Sequence, residues 1–137
     1  LLKINAGTKK YNSIVLRCPA LNMRKIFEDN ILKMPLNEFL EKGNCVLGFE
    51  RNIVITKKYY EELVKNDIFK LYNKNDNILI IHGTLDDTAP IEDSVKFQHK
   101  FNKNVKLYKV KGADHRFKKP GELEEVINVA TNYILNN

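Results

Sequence analysis

The chain has 137 residues, of which 43% are hydrophobic and 29% charged, and its formal net charge at pH 7 is +6. This length suits a single domain with a sizeable core. The sequence contains no apolar run of the roughly 18–20 residues that cross a bilayer, and its first residues lack the pattern of a signal peptide. We therefore expect a cytoplasmic protein with no membrane partner.

The positive charge has a compositional origin. The chain contains 19 lysines but only 4 arginines, together with 17 asparagines and 13 isoleucines, as expected when codons are rich in A and T. The lysines are scattered, and no signature of a nucleic-acid-binding module accompanies them. The sequence therefore predicts no nucleic-acid partner.

Cysteine and histidine spacing argues against a metal centre. Cys18 and Cys45 lie in different sequence contexts, and we interpret both as reduced thiols without a functional role. His82, His99 and His115 never approach the H-x-x-x-H or H-x-H spacing of metal ligands. We expect no metal and no cofactor, and interpret His82 as structural and His99 as solvated.

The first half of the chain predicts one strand followed by an irregular insertion. Residues 13–18 form a short apolar run typical of a strand in a parallel sheet. Residues 22–77 then read as helical pieces, interrupted at Pro35 and ended at Gly43, with a small hairpin over 45–56. This stretch is too long for an ordinary connection between two strands and indicates an insertion.

The second half alternates strands with helices, which is typical of a parallel sheet with right-handed crossovers. The predicted elements are a strand over 78–82, a helix over 91–101, a strand over 105–110 and a helix over 121–135. The last helix carries an apolar stripe formed by Leu123, Val126, Ile127, Ala130 and Ile134. We expect this stripe to face the core.

Polar residues follow the ends of the last two strands. Asp86 and Asp87 belong to "HGTLDD", and Asp114 and His115 belong to "KGADHRF". The carboxyl ends of neighbouring parallel strands meet at one edge of a sheet, so a carboxylate and an imidazole can come together there. A buried carboxylate that accepts the imidazole Nδ1–H leaves Nε2 free as a general base.

The segments "ILIIHGTLDDTAPIEDS" and "VKGADHRF" resemble the C-terminal part of the α/β-hydrolase superfamily, especially its serine esterases, acyl hydrolases and aminopeptidase-like enzymes. In that superfamily one strand ends in His-Gly-x-x-Asp, and a Gly-x-x-His turn follows the last strand. The resemblance implies that Asp86 is the triad acid and His115 the triad base. It also implies one partial α/β domain over 1–137, with core residues 1–21 and 78–137 and a lid over 22–77.

The chain departs from this family at the nucleophile. The family places its serine on a Gly-x-Ser-x-Gly turn, and no such turn occurs in this sequence. Ser13 and Ser94 are not flanked by glycines, and the proline after Cys18 disfavours the required elbow. Residues 1–8 resemble the tail of the helix that follows the nucleophile. We therefore expect this chain to supply an acid and a base without a nucleophile, and to be inactive alone.

Each site residue also has a plainer interpretation. Asp86 could be a turn aspartate that caps the next segment, and His115 an exposed loop histidine. Asp87 and Asp114 are expected to be turn residues. Ser94 falls in the first turn of a helix, where capping is the ordinary role of a serine.

The resemblance predicts the C-terminal portion of a serine hydrolase that acts on carboxylic esters, thioesters or amides, with a small acyl compound as substrate. The alternative is a non-catalytic fragment or interaction remnant. Such a fragment would form a homo-oligomer or complement an N-terminal partner chain, because an open sheet edge recruits other strands.

Overall fold

The computed structural model describes residues 11–48, 52–72 and 76–137. In chain order its elements are β1 (Ser13–Arg17), α1 (Met23–Ile26), a π-helical turn (Phe27–Ile31), α2 (Leu36–Lys42), β2 (Asn44–Gly48), β3 (Asn52–Thr56), α3 (Lys57–Lys65), α4 (Ile68–Leu71), β4 (Asn77–Gly83), α5 (Ile91–Lys100), β5 (Val105–Val110) and α6 (Glu122–Leu135). The helix tail expected over residues 1–8 lies outside the described residues. The described chain forms two compact units, one from residues up to Leu21 together with Ile68–Asn137, the other from Asn22–Asp67.

The first unit is built on a parallel sheet with the strand order β1-β4-β5. Every residue of β4 except Asn77 is buried, which explains its run of branched apolar residues. Side chains alternate between the two faces of β4, so Ile78 and Ile80 join one core cluster while Leu79 and Ile81 join the other. The parallel α/β architecture with flanking helices, as predicted from the sequence, is confirmed.

Helices cover both faces of this sheet. On one face Phe97 of α5 and Phe101, which follows that helix, pack with Tyr72, and Phe69 of α4 meets the Phe97 ring edge-on at 5.3 Å. On the other face α6 contributes Val126 and Tyr133 to the core. A strand buried on both faces therefore carries the polar residues that follow it to the edge of the sheet.

The last helix buries a different stripe from the one expected. Val126 is buried and Ala130 packs partly against the core, but Leu123, Ile127 and Ile134 are 49%, 55% and 56% exposed. The buried side runs instead through Glu122, Val126 and Tyr133. Apolar residues occur on two adjoining stripes of this helix, and only packing against the sheet decides which of them is covered.

The second unit encloses an aromatic core. Phe27, Phe39 and Tyr60 pack against one another, and the Tyr60 hydroxyl donates a hydrogen bond of 2.6 Å to Glu28. The predicted hairpin is present, with β2 and β3 antiparallel. Gly43 ends α2 with φ +77°, a left-handed conformation that glycine adopts without steric cost.

The second unit ends earlier than the insertion expected over 22–77. Ile68, Phe69 and Tyr72 pack against the core of the sheet and belong to the first unit. The role of residues 22–77 as a lid stays a prediction. Among the described residues, no helix combines the length and the apolar character that spanning a bilayer requires.

Candidate active site

A close approach of two loops at the carboxyl edge of the sheet builds the candidate site. Gly83 ends β4, and a Cβ at this position would lie 2.4 Å from the carbonyl oxygen of Ala113. Leu85 N–H donates to that same oxygen at 2.9 Å, and Gly112 N–H donates to Thr84 Oγ1 at 2.8 Å. The loop after β4 and the turn after β5 are therefore tied together, and only glycine fits between them.

The hydrogen bonds between these two loops bring Asp86 and His115 into contact. His115 Nδ1 lies 2.8 Å from Asp86 Oδ2. The Asp86 side chain is fully buried, whereas 33% of the His115 side chain is exposed. The two residues that the sequence singled out thus share a hydrogen bond, and their catalytic roles stay predictions.

Asp86 also organises its own loop. Its Oδ1 atom accepts hydrogen bonds from the backbone N–H groups of Thr88 at 2.9 Å and Ala89 at 2.8 Å. The interpretation as a turn aspartate and the interpretation as a partner of His115 are therefore compatible, because each uses a different carboxylate oxygen.

The hydrogen bonds keep Asp86 ionised. Burial by itself raises the pKa of this carboxyl. The Ala89 N–H, the His115 imidazole, the Cys18 thiol and the Thr88 N–H act in the opposite direction, and together they hold the pKa of Asp86 below its ordinary value. An ionised carboxylate next to Nδ1 can accept the Nδ1–H and orient the ring of His115.

His82 is buried beneath this pair with both ring nitrogens occupied. Its Nε2 lies 2.9 Å from the Ala89 carbonyl oxygen and 3.1 Å from Asp86 Oδ2, while Nδ1 lies 2.8 Å from Ser94 Oγ. Because the Ala89 oxygen can only accept, Nε2 carries the hydrogen and Nδ1 accepts from the Ser94 hydroxyl. This geometry is that of a structural histidine.

The expected capping role of Ser94 is not what its side chain does. Ser94 is fully buried on α5, and its hydroxyl bonds to His82. Pro90 is the N-cap residue of α5, and no side chain caps this helix end. His82 and Ser94 are 12 positions apart, and no motif in the sequence links them, so their contact could not be predicted.

The sequence analysis assigned no role to Cys18, yet this residue borders the site. It follows β1, is only 4% exposed and has φ +41°. Its Sγ atom lies within 4.8 Å of an Asp86 carboxylate oxygen, and burial is the main cause that raises the pKa of Cys18 to about 12. The available signal was its position in the sequence, because Cys18 directly follows β1, the strand that pairs with β4.

Cys18, His82 and Asp86 each offer a possible metal ligand, and the three atoms lie within 4.8 Å of one another. The His82 and Asp86 side chains already take part in hydrogen bonds within the described residues. The expectation that the protein uses no metal stays a prediction.

The neighbouring acidic residues serve their turns. Asp114 Oδ1 accepts from the Arg116 N–H at 2.8 Å, and Asp114 Oδ2 lies 3.7 Å from Lys118 Nζ. That backbone hydrogen bond is the main cause that lowers the pKa of Asp114. Asp87 accepts from the Thr88 hydroxyl at 3.1 Å.

Ser13, the other serine, lies at the far end of the sheet. It pairs with Asn77 at the start of β4, whereas Asp86 follows the end of that strand.

An open groove of about 460 Å³ beside α5 is lined by Thr84, Ile91, Glu92, Val95, Lys96 and Lys109. Neither Ser13 nor this groove adds a nucleophile to the Asp86–His115 pair.

Comparisons with known proteins agree with this architecture. The sequence profile described as the prolyl oligopeptidase family matches residues 2–137. Among solved structures, Est1E from Butyrivibrio proteoclasticus aligns with a TM-score of 0.75 at 20% identity, covering 98% of this chain and 53% of that one. Mouse alpha/beta hydrolase domain-containing protein 10 aligns with a TM-score of 0.70 at 15% identity, covering 98% of this chain and 57% of that one.

A monoacylglycerol lipase from Paleococcus ferrophilus also aligns, with a TM-score of 0.61 at 18% identity, covering 98% of this chain and 63% of that one. A comparison with curated protein sequences gave no significant match. This chain therefore has the α/β-hydrolase fold and spans little more than half the length of the solved structures it resembles.

Proposed function

Because the chain belongs to the prolyl oligopeptidase family, we propose that it supplies the acid and the base of a serine hydrolase that cleaves an acyl compound. The observation that carries this proposal is the 2.8 Å hydrogen bond between the buried Asp86 carboxylate and His115 Nδ1. This bond holds the imidazole in the tautomer whose Nε2 is free to accept a proton.

The proposed reaction proceeds in two steps. A serine oxygen attacks the acyl carbon while His115 Nε2 takes the serine proton, and His115 then returns this proton to the departing alcohol, thiol or amine. Water hydrolyses the resulting acyl-serine with His115 again as the base. Asp86 stays ionised throughout and stabilises the imidazolium.

We place the nucleophile and the oxyanion hole outside this chain. Neither serine of the sequence lies on a Gly-x-Ser-x-Gly turn. The Ser94 hydroxyl is hydrogen-bonded to His82, and Ser13 lies at the opposite end of the sheet from Asp86. A segment encoded upstream of Leu1, or a separate N-terminal partner chain, would have to supply both features.

The substrate class is an ester, a thioester or an amide. The name of the matching family refers to a peptidase, and the names of the structural neighbours include a lipase and an esterase domain. An acyl carbon next to a leaving group is common to these substrates. The non-catalytic alternative receives no comparable support.

A fluorophosphonate probe tests this proposal, because it labels activated serines covalently. We would measure intact mass for this chain and for a version extended N-terminally through the upstream reading frame. We expect labelling of the extended form only, with loss of labelling in His115→Ala. The matched control is His99→Ala, since His99 is an exposed histidine on α5.

Two outcomes would overturn the proposal. Labelling of the unextended chain would place an activated serine within these residues. Labelling of the extended form that persists in His115→Ala would remove His115 from the role of base.

A further inference from the structure

The two edge strands of the sheet differ in how their sequences treat an unpaired edge. β5 carries Lys106 and Lys109, and both are exposed. Lysines on an edge strand discourage pairing with a second copy, because like charges would then face each other. β1 has the sequence SIVLR, with no charged residue before Arg17. Charge therefore protects the β5 edge but not the β1 edge.

β1 is also incompletely covered. Val15 and Leu16 are only partly buried, whereas the β4 residues that pair with them, Leu79 and Ile80, are at most 5% exposed. Among the described strands, β4 is the only neighbour of β1. Apolar side chains on both faces are typical of a strand with a neighbour on each side. The sequence of β1 therefore has the character of a central strand, although its outer edge has no partner within the described residues.

The apolar stripe that α6 exposes lies towards this edge of the sheet. Glu125 points towards β5, because its carboxylate accepts a hydrogen bond of 2.8 Å from the Tyr108 hydroxyl. Leu123, Ile127 and Ile134 are 49%, 55% and 56% exposed. At 3.6 residues per turn they lie about 160–200° around the helix from Glu125, so they face away from β5 and towards β1.

We propose that the β1 edge and the exposed stripe of α6 form one interface through which two copies of this chain associate about a two-fold axis. The axis runs perpendicular to the sheet beside Val15, so β1 pairs antiparallel with its counterpart. Ile14 then faces Leu16 of the second copy, and Arg17 faces the uncharged Ser13. No like charges meet along this edge, in contrast to β5. The edge is thus complementary to a second copy of itself, as a two-fold interface requires.

The same axis brings the two α6 helices together. α6 packs over β1 and β4. Neighbouring strands lie about 4.8 Å apart, so the two helices would lie about 10 Å apart, which is a normal packing distance. Val15 and Ala130 pack against the same core cluster, so the axis passes near the middle of the stripe. In this antiparallel arrangement Leu123 lies next to Ile134 of the second copy, and Ile127 lies next to the small side chain of Ala130. The acidic first turns of the two helices lie at opposite ends.

Sedimentation equilibrium of this chain tests the helix half of the interface. We expect a monomer at about 1 µM and a dimer at about 500 µM, since a small interface binds weakly. Ile127→Glu should raise the dissociation constant at least about tenfold, because the interface would bury a charge without a partner. The matched control is Asn128→Glu, which adds the same charge at an exposed position of the same helix outside the stripe and should leave the constant unchanged.

Amide hydrogen exchange tests the strand half. The Cys18 N–H donates to the Ile81 carbonyl oxygen at 2.9 Å and therefore points towards β4. Successive N–H groups of a strand point to opposite sides, so those of Arg17 and Val15 point to the outer edge. Their exchange should slow as the protein concentration rises, and Ile127→Glu should remove this protection.

Three results would overturn the proposal. One is a monomer at every concentration. Another is a dimer that a folded Ile127→Glu variant does not weaken, since the contact would then lie on another surface. The third is protection of Ile127 in a monomeric, N-terminally extended form, since the upstream segment would then occupy this surface. Should Ile127→Glu fail to fold, Ile134→Gln replaces it, with the same weakening expected and its absence counting against the interface.

Discussion

A hydrogen bond of 2.8 Å joins Asp86 to His115. The Asp86 carboxylate is fully buried, whereas one third of the His115 side chain is exposed. The buried partner is held by backbone N–H groups of its own loop. The exposed partner can therefore be oriented by a fixed group while its ring remains open to the surroundings. This asymmetry suits an acid that orients and a base that exchanges protons.

Asp86 should make the stability of the fold depend on pH in acid. Since its native pKa lies below the ordinary value, its ionised form stabilises the folded state above the unfolded-state pKa of about 4. This contribution is lost as the pH falls from about 4 through the lower native pKa. We expect urea denaturation between pH 3 and pH 6 to show a flatter pH profile for Asp86→Asn.

The control for this prediction is Asp87→Asn, which replaces an exposed carboxylate in the same loop. Its profile should follow that of the original chain. A profile of Asp86→Asn that is as steep as the original would contradict the assigned direction of the pKa shift.

Gly83→Ala should separate the two loops of the site. The added Cβ would lie 2.4 Å from the carbonyl oxygen of Ala113 and 2.7 Å from that of Asp114, and these backbone atoms cannot move aside cheaply. We expect the free energy of unfolding to fall by about 3 kcal/mol and the His115 signals to change. Gly48→Ala is the matched control, because no atom lies within 4 Å of a Cβ built there.

The two serines should respond differently to removal of their hydroxyl groups. Ser94→Ala leaves Nδ1 of the buried His82 without its donor, so we expect a loss of about 1–3 kcal/mol in thermal or urea unfolding. Ser13 Oγ is also buried but has no hydrogen-bond partner within the described residues. Ser13→Ala should therefore change stability by less than about 0.5 kcal/mol. Equal losses would argue against the His82–Ser94 bond.

The orientation of α6 is testable with two neighbouring residues. Val126 is 6% exposed and Ile127 is 55% exposed. Val126→Ala should lower the free energy of unfolding by about 2 kcal/mol, whereas Ile127→Ala should change it by less than about 0.5 kcal/mol. If urea denaturation showed a larger loss for Ile127→Ala than for Val126→Ala, the apolar stripe expected from the sequence would be the buried one.

Association of this chain remains a prediction. Among the described strands, β1 and β5 are the edges of the sheet. An unpaired edge favours pairing with another strand, so we expect dimers or complexes with an N-terminal partner chain. Sedimentation equilibrium measures this directly, and a monomer at all accessible concentrations would contradict it.

Much of the candidate site was readable because parallel strands place their carboxyl ends together. Two strand-end motifs were therefore sufficient to predict that Asp86 and His115 meet. The places of Cys18 and Ser94 beside this pair were not recognised, because their own neighbours in sequence suggested a turn and a helix cap. The pattern of α6 was ambiguous for a related reason, since periodicity marks apolar stripes without saying which one meets the sheet.

The sequence by itself determined the alternation of strands and helices, the buried character of β4 and the polar residues that follow its end. These properties depend on side-chain periodicity and turn chemistry, which act over a few residues. Only the tertiary structure decided that Gly83 must lack a Cβ, that His82 is satisfied by Ser94 and Ala89, and that the Cys18 Sγ lies within 4.8 Å of the Asp86 carboxylate. Those contacts join different elements of the fold, so close packing rather than local preference selects them.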